Sequence, residues 1–127
     1  MRWMVDGMNV VGSRPDGWWR DRRGAMRRLA KQLGEFADDV GEPVTVVFDG
    51  RPFDTDAAPA EVAFAPARGP NAADDEIARR VAADPDPGSL RVVTSDRDLV
   101  RRVTAAGADV VPAGELRSRL DKYADRI

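Results

Sequence analysis

The 127-residue chain contains no histidine and no cysteine, and each absence removes a class of chemistry. Without histidine there is no Ser-His-Asp triad, no HExxH zinc helix and no imidazole acid–base pair. Without cysteine there is no disulfide framework and no thiolate metal site. Hydrolysis, if any, must run on carboxylates, a lysine, or a metal held by oxygen. Lysine is scarce as well: Lys31 and Lys122 stand against eighteen arginines. That skew fits GC-rich codon usage and is assigned no function by itself. No apolar run approaches the roughly 18 residues that a membrane helix needs. Met1 to Asp6 reaches an acid too early for a signal peptide. A cytoplasmic location and no membrane partner are the expectations.

What is present is a globular composition, 43% hydrophobic and 33% charged with a net charge of −2. The length suits a single domain spanning 1–127. The net charge argues against a wholly basic nucleic-acid binder, yet the charge is uneven. Arg14 to Lys31 holds seven basic residues and two acids.

Short segments at 2–5, 44–48, 61–65, 90–94 and 108–111, rich in apolar and β-branched residues, predict strands, the third of them weak. Between Arg22 and Val40 the apolar positions Met26, Leu29, Ala30, Leu33, Phe36, Ala37 and Val40 follow helical spacing. Gly41 sits where a helix ends on glycine. Further helices are predicted over 71–83, 96–106 and 115–123, with turns or loops at Asp6-Gly7, 14–19 and 51–60. Strands alternating with helices argue for an α/β fold with a mostly parallel sheet covered by helices.

Three of these strands run into an aspartate: Val5 into Asp6, Phe48 into Asp49, and Thr94 through Ser95 into Asp96. Ligands of open α/β sheets bind beyond the carboxyl ends of the strands, so such acids can share one crevice. Asp74 and Asp75 open the following helix, and Asp98 lies one turn into another. Carboxylates gathered in one crevice repel, and a cation relieves the repulsion. Oxygen-only ligands select Mg²⁺ or Mn²⁺, one or two ions, over zinc. The competing explanation is local: Asp after a strand is turn chemistry, Asn71 can cap its helix, and Asp96 or Ser95 can cap the next. Capping is favoured for Asp75 and Asp98 taken alone. A shared metal site is favoured for Asp6, Asp49, Asp74 and Asp96 taken together. Asn9, three residues past Asp6, reads as a turn residue unless it bonds Asp6 or substrate.

Five motifs resemble those of one family in order and over nearly the whole chain. Val5-Asp6-Gly7-Met8-Asn9-Val10-Val11-Gly12 is similar to the opening Val-Asp-Gly-Tyr-Asn-Val-Ile-Gly of YacP-like NYN domains. Val46-Val47-Phe48-Asp49-Gly50 resembles the family's Val-Val-Phe-Asp-Ala strand, and Asn71 to Ile77 its Thr-Ala-Asp-Ser-Tyr-Ile helix start. Val92-Val93-Thr94-Ser95-Asp96 matches Val-Val-Thr-Ser-Asp, and Glu115-Leu116 resembles the closing Glu-Leu-Leu helix. The resemblance implies a three-layer PIN-like, Rossmann-like fold with a mostly parallel sheet of about five strands in order 3-2-1-4-5. It implies a metal-dependent ribonuclease, with Asp6, Asp74 and Asp96 as catalytic metal-site acids, Asn9 as the family asparagine and Asp49 in support. Asp75 and Ser95 are further supporting residues. Asp98, in Ser95-Asp96-Arg97-Asp98, resembles the paired acids of wider PIN domains and is a further candidate ligand. Two departures are visible: Met8 stands where the family has an aromatic ring, and Asp75 where it has serine.

The expected substrate is RNA, cut at its phosphodiester bonds by metal-activated water. Arg23, Arg27 and Lys31, spaced i, i+4, i+8, form a basic stripe to which Arg14, Arg20, Arg22 and Arg28 add. Such contacts supply salt-dependent, sequence-independent affinity. Trp18 and Trp19 can stack bases of a single strand. Arg51 and Arg68, in loops near the acids, are weaker candidates for phosphate contact. The bland alternative makes the stripe a solvated helix face and one tryptophan a core anchor. Ribosome association and homodimerisation are further options for partners.

Other acid-rich α/β folds fit less well. Val110-Val111-Pro112 lacks the lysine that ends the fifth strand of a receiver domain. Asp6-Gly7-Met8 lacks the Asp-x-Asp of a haloacid-dehalogenase-type phosphatase, and the glycines miss the Gly-x-Gly-x-x-Gly of a dinucleotide binder. The rival from another class is a non-catalytic RNA-binding or ribosome-associated module with the same fold.

Overall fold

Alternation along each strand sends successive side chains to opposite faces, and here both faces are apolar, as a parallel sheet covered on both sides requires. The computed structural model describes residues 1–66 and 68–124. The strands are β1 (Arg2–Asp6), β2 (Val44–Phe48), β3 (Glu61–Phe64), β4 (Leu90–Val93) and β5 (Asp109–Val111). They form one five-stranded sheet in the order β3-β2-β1-β4-β5, with every pairing parallel. The helices are α1 (Gly7–Gly12), α2 (Arg22–Val40), α3 (Ala72–Ala83), α4 (Arg97–Ala105) and α5 (Ala113–Ala124).

Trp3, Val5, Val44, Val46, Phe48 and Val93 face a core shared with residues of α1, α2 and α5. Met4, Val47, Leu90 and Val92 face the opposite way, onto Ala73, Ile77 and Val81 of α3 and Leu99 and Val103 of α4. The result is three layers. β1 lies at the centre, with Val5 in register with Val46 on one side and Val93 on the other. From β1 the chain builds outward through β2 and β3, then crosses back to β4 and β5. The carboxyl end of β1 is therefore the point where strand order reverses, the place where such sheets open a crevice.

One element departs from expectation. Residues 7–12 form α1 instead of a simple turn, burying Val10 and Val11. Six residues are too few to display helical periodicity, and a helix that short is stabilised by packing and not by propensity. Gly7 begins it because a β-carbon there would collide with the Phe48 ring. α2 meets expectation closely, ending at Gly41 in the left-handed conformation (φ 65°). Inside α2, Gly34 packs against the backbone carbonyls of Ala57 and Ala58, leaving no space for a side chain. Backbone cannot step aside as a side-chain tip can. Gly34→Ala is therefore expected to destabilise the fold by about 1–3 kcal/mol despite better helix propensity, read as a lowered Tm.

Candidate active site

The strand ends at the centre of the sheet carry the polar residues, and each is held by a neighbour from elsewhere in the chain. Asp6 closes β1 and is only 3% exposed. The Thr94 hydroxyl, just past β4, donates to Asp6 Oδ2 at 2.9 Å. The same Thr94 oxygen accepts from the Asp96 amide at 3.1 Å. Asn9, on α1, uses Oδ1 to accept from the Ser95 amide at 2.8 Å, and Ser95 Oγ accepts from the Ala113 amide at the start of α5 at 2.9 Å. Asn9 is thus no mere turn residue: it joins α1 to the β4–α4 connection.

Helix capping is real here, but partly from unexpected residues. Asp96 caps its own helix, its Oδ1 accepting from the Leu99 amide at 3.0 Å. Asn71 makes no side-chain cap to α3. That cap comes from Asp49, beyond β2, whose Oδ1 accepts from the Ala73 amide at 2.8 Å. A residue 24 positions away can do this because β2 and the start of α3 end at the same crevice.

The electrostatics show which acids share that space. Burial pushes the Asp6 carboxyl up to about 7; Thr94's hydroxyl opposes this, while the charges of Asp74 and Asp49 add to it. Asp74 is also raised, chiefly by burial and then by Asp96 and Asp49. Asp6 therefore lies within the fields of Asp74 and Asp49, and Asp74 within those of Asp96 and Asp49. Asp75 acts only weakly on Asp74 and is engaged by Arg102 at 2.9 Å. Asp98 is exposed and paired with Arg101 at 2.9 Å. Buried Glu76 belongs to the framework: hydrogen bonds from Arg79 and Arg80 hold it down at about 2.

Residues 3–127 match the family model of the YacP-like NYN domain. The chain belongs to the YacP-like NYN domain family. This is a family of PIN-like nuclease domains. Two crystal structures of Rae1 (YacP) from Bacillus subtilis share the fold. One, of a tryptophan-to-leucine mutant, is 25% identical with a TM-score of 0.79, covering 99% of this chain and 79% of that one. The other is 24% identical with a TM-score of 0.79, covering 99% and 76%. No curated protein matches the chain.

In this YacP-like NYN domain the residues expected to touch RNA divide. Trp19 is 61% exposed, with the Arg20 guanidinium 5.8 Å from its ring centre. Trp18 is half-buried and packs against the core, the anchor role given above as the alternative. Arg14 is drawn into an ion pair with Asp121 at 2.8 Å. Arg23 and Arg27 lie over the Phe53 ring at 5.1 and 5.0 Å, so two of the three stripe residues have a packing role that spacing did not reveal. Lys31 is exposed on α2. Met8 is partly buried against the core. Thr94, the hydroxyl that holds Asp6, carried no assigned role in the sequence. The available signal was a polar side chain directly after the apolar pair Val92-Val93.

The oxygen-only donor set suits Mg²⁺ or Mn²⁺. Among the described residues no three acids form a ready-made ligand group. Mg²⁺ commonly keeps several waters and takes one or two carboxylates, so a buried Asp6 beside Asp74 fits that ion without a three-carboxylate cage.

Two stability measurements follow. Asp6 binds its proton more tightly folded (about 7) than unfolded (3.8), so stability falls as pH rises between those values and the loss is complete above the folded one. In EDTA, Asp6→Asn is expected to melt several degrees above wild type at pH 8, the gap closing towards pH 4. Asp49→Ala is expected to cost about 1 kcal/mol through loss of the α3 cap. Asn71→Ala should be near neutral and Asp49→Asn should keep the cap, all read by denaturant titration.

Proposed function

We propose that this YacP-like NYN domain is a divalent-metal-dependent ribonuclease, most specifically an endoribonuclease. The observation that carries the reading is the buried carboxyl of Asp6 at the strand-order reversal, within the fields of Asp74 and Asp49, with Asp96 acting on Asp74 in turn. Burying a carboxylate among like charges is unfavourable unless a cation is received there. Family membership supports the same chemistry.

Asp6 and Asp74 would hold the ion, with Asp96 contributing the oxygen that does not cap α4. A divalent ion so held supplies Lewis acidity towards water and phosphate. The chain's own residues do the positioning. Thr94 fixes the Asp6 oxygens by its hydrogen bond, and the Asp96 amide fixes Thr94 in turn. Asn9 holds the loop that carries Ser95 and Asp96. Trp19 offers an exposed ring for a base of single-stranded RNA, and Lys31 an exposed charge for its backbone. No side-chain nucleophile is needed. The proposed setting is the cytoplasm, with RNA as partner.

The second reading, a non-catalytic RNA-binding module, draws on the lack of a three-acid ligand group among the described residues. The test is incubation with mixed cellular RNA and Mn²⁺ or Mg²⁺. Wild type is expected to cleave, Asp6→Asn and Asp74→Asn to lose at least 100-fold of the rate (order of magnitude from removed charge stabilisation), and EDTA to abolish it. Equal cleavage by wild type and Asp6→Asn removes Asp6 from the chemistry. RNA binding that survives EDTA and Asp96→Asn, with no cleavage at all, establishes the second reading.

A further inference from the structure

Next to the acid cluster lies a concavity of about 380 Å³ whose charge is opposite. It is lined by Arg22 at the start of α2, Arg51 in the loop after β2, and Arg68, together with Asp49, Gly50 and Gly69. Arg22, Arg51 and Arg68 are exposed. Among the described residues none of the three side chains makes an ion pair, a hydrogen bond or a ring contact. This contrasts with Arg2, Arg79, Arg80 and Arg102, each held by an acid. The one acid in the concavity, Asp49, already gives Oδ1 to the Ala73 amide. Gly50 and Gly69 both have positive φ, 96° and 126°, so the lining there is bare backbone that a ligand can approach closely.

Three arginines set against one carboxylate leave the concavity with a positive excess, and an anion relieves it. Guanidinium forks match phosphate oxygens in geometry as well as charge. Asp49 belongs to both places: it lines this concavity and it acts on Asp6 and Asp74. We propose that Arg22, Arg51 and Arg68 form a phosphate subsite that grips an RNA phosphate neighbouring the one presented to the acids. The inference rests on the ribonuclease reading for the identity of the polymer, not for the anion site itself. The subsite would set which phosphate reaches Asp6, and would hold RNA without reading its bases.

The experiment measures binding of a fluorescein-labelled single-stranded RNA 12-mer (a length of about 12 suits a site of this class) in EDTA across a salt series. It compares wild type, Asp6→Asn, the triple variant Arg22→Gln/Arg51→Gln/Arg68→Gln, and the corresponding triple Lys variant. Thermal melting controls for folding. The glutamine variant is expected to bind on the order of tenfold more weakly. The slope of log K against log salt should flatten by roughly 0.7 per phosphate released. The lysine variant should retain the slope. Oligomers with 5′-hydroxyl and 5′-phosphate ends separate the sources: loss on both assigns an internal phosphodiester, and loss confined to the second assigns a chain end. Unchanged affinity and slope on both, in a folded glutamine variant, overturns the subsite. Failure of wild type to cleave RNA, with arginine-dependent binding intact, defeats the nuclease reading alone.

Discussion

The structure turns on a carboxyl group placed where a carboxylate is least comfortable. Asp6 ends the central strand, is shielded from water, and faces other acids at the strand-order reversal. An apolar residue there would be less costly for folding, since buried charge without an opposite partner is expensive. What offsets the cost in part is a hydroxyl, Thr94, fixed by the amide of Asp96. Ionisable groups perturbed in this way cluster at functional sites.

The surrounding polar residues serve two ends at once. Asp49 and Asp96 are members of the acid cluster and also cap α3 and α4. Ser95 receives the first amide of α5, and Asn9 ties α1 to Ser95. Helix amino termini therefore gather around the crevice, and their partial positive charge favours the carboxylates lodged there. The capping that competed with a shared site when only residue order was known is observed for Asp49 and Asp96, and it uses one carboxyl oxygen of each. One carboxyl oxygen can bond a helix amide while the other faces the crevice.

Arginine use across the surface follows the same logic of pairing. Arg2, Arg79 and Arg80 are spent on Asp84 and Glu76, locking the amino end of β1 and the outer side of α3. Arg23 and Arg27 cover Phe53. A count of basic residues from Arg14 to Lys31 could not separate these structural arginines from unpaired ones, because pairing depends on loops that arrive from residues 51–69. Beside the acids, Arg22 of α2 and two loop arginines, Arg51 and Arg68, line one concavity.

The sequence alone settled the α/β class, the alternation of elements, the bounds of α2 and β2, and the absence of histidine and thiol chemistry. Those properties are local: periodicity, β-branched runs and composition are readable within short windows. Its motifs, through their family resemblance, also pointed to the strand order. Tertiary structure decided the rest. It made a helix of residues 7–12, gave the α3 cap to Asp49 instead of Asn71, and gave Thr94 its hold on Asp6. It also paired Asp98 with Arg101 and Arg14 with Asp121, and brought Arg22, Arg51 and Arg68 to one concavity. Each of these outcomes depends on which strand ends lie side by side, and the distances that govern hydrogen bonds and charge are distances through space, not along the chain.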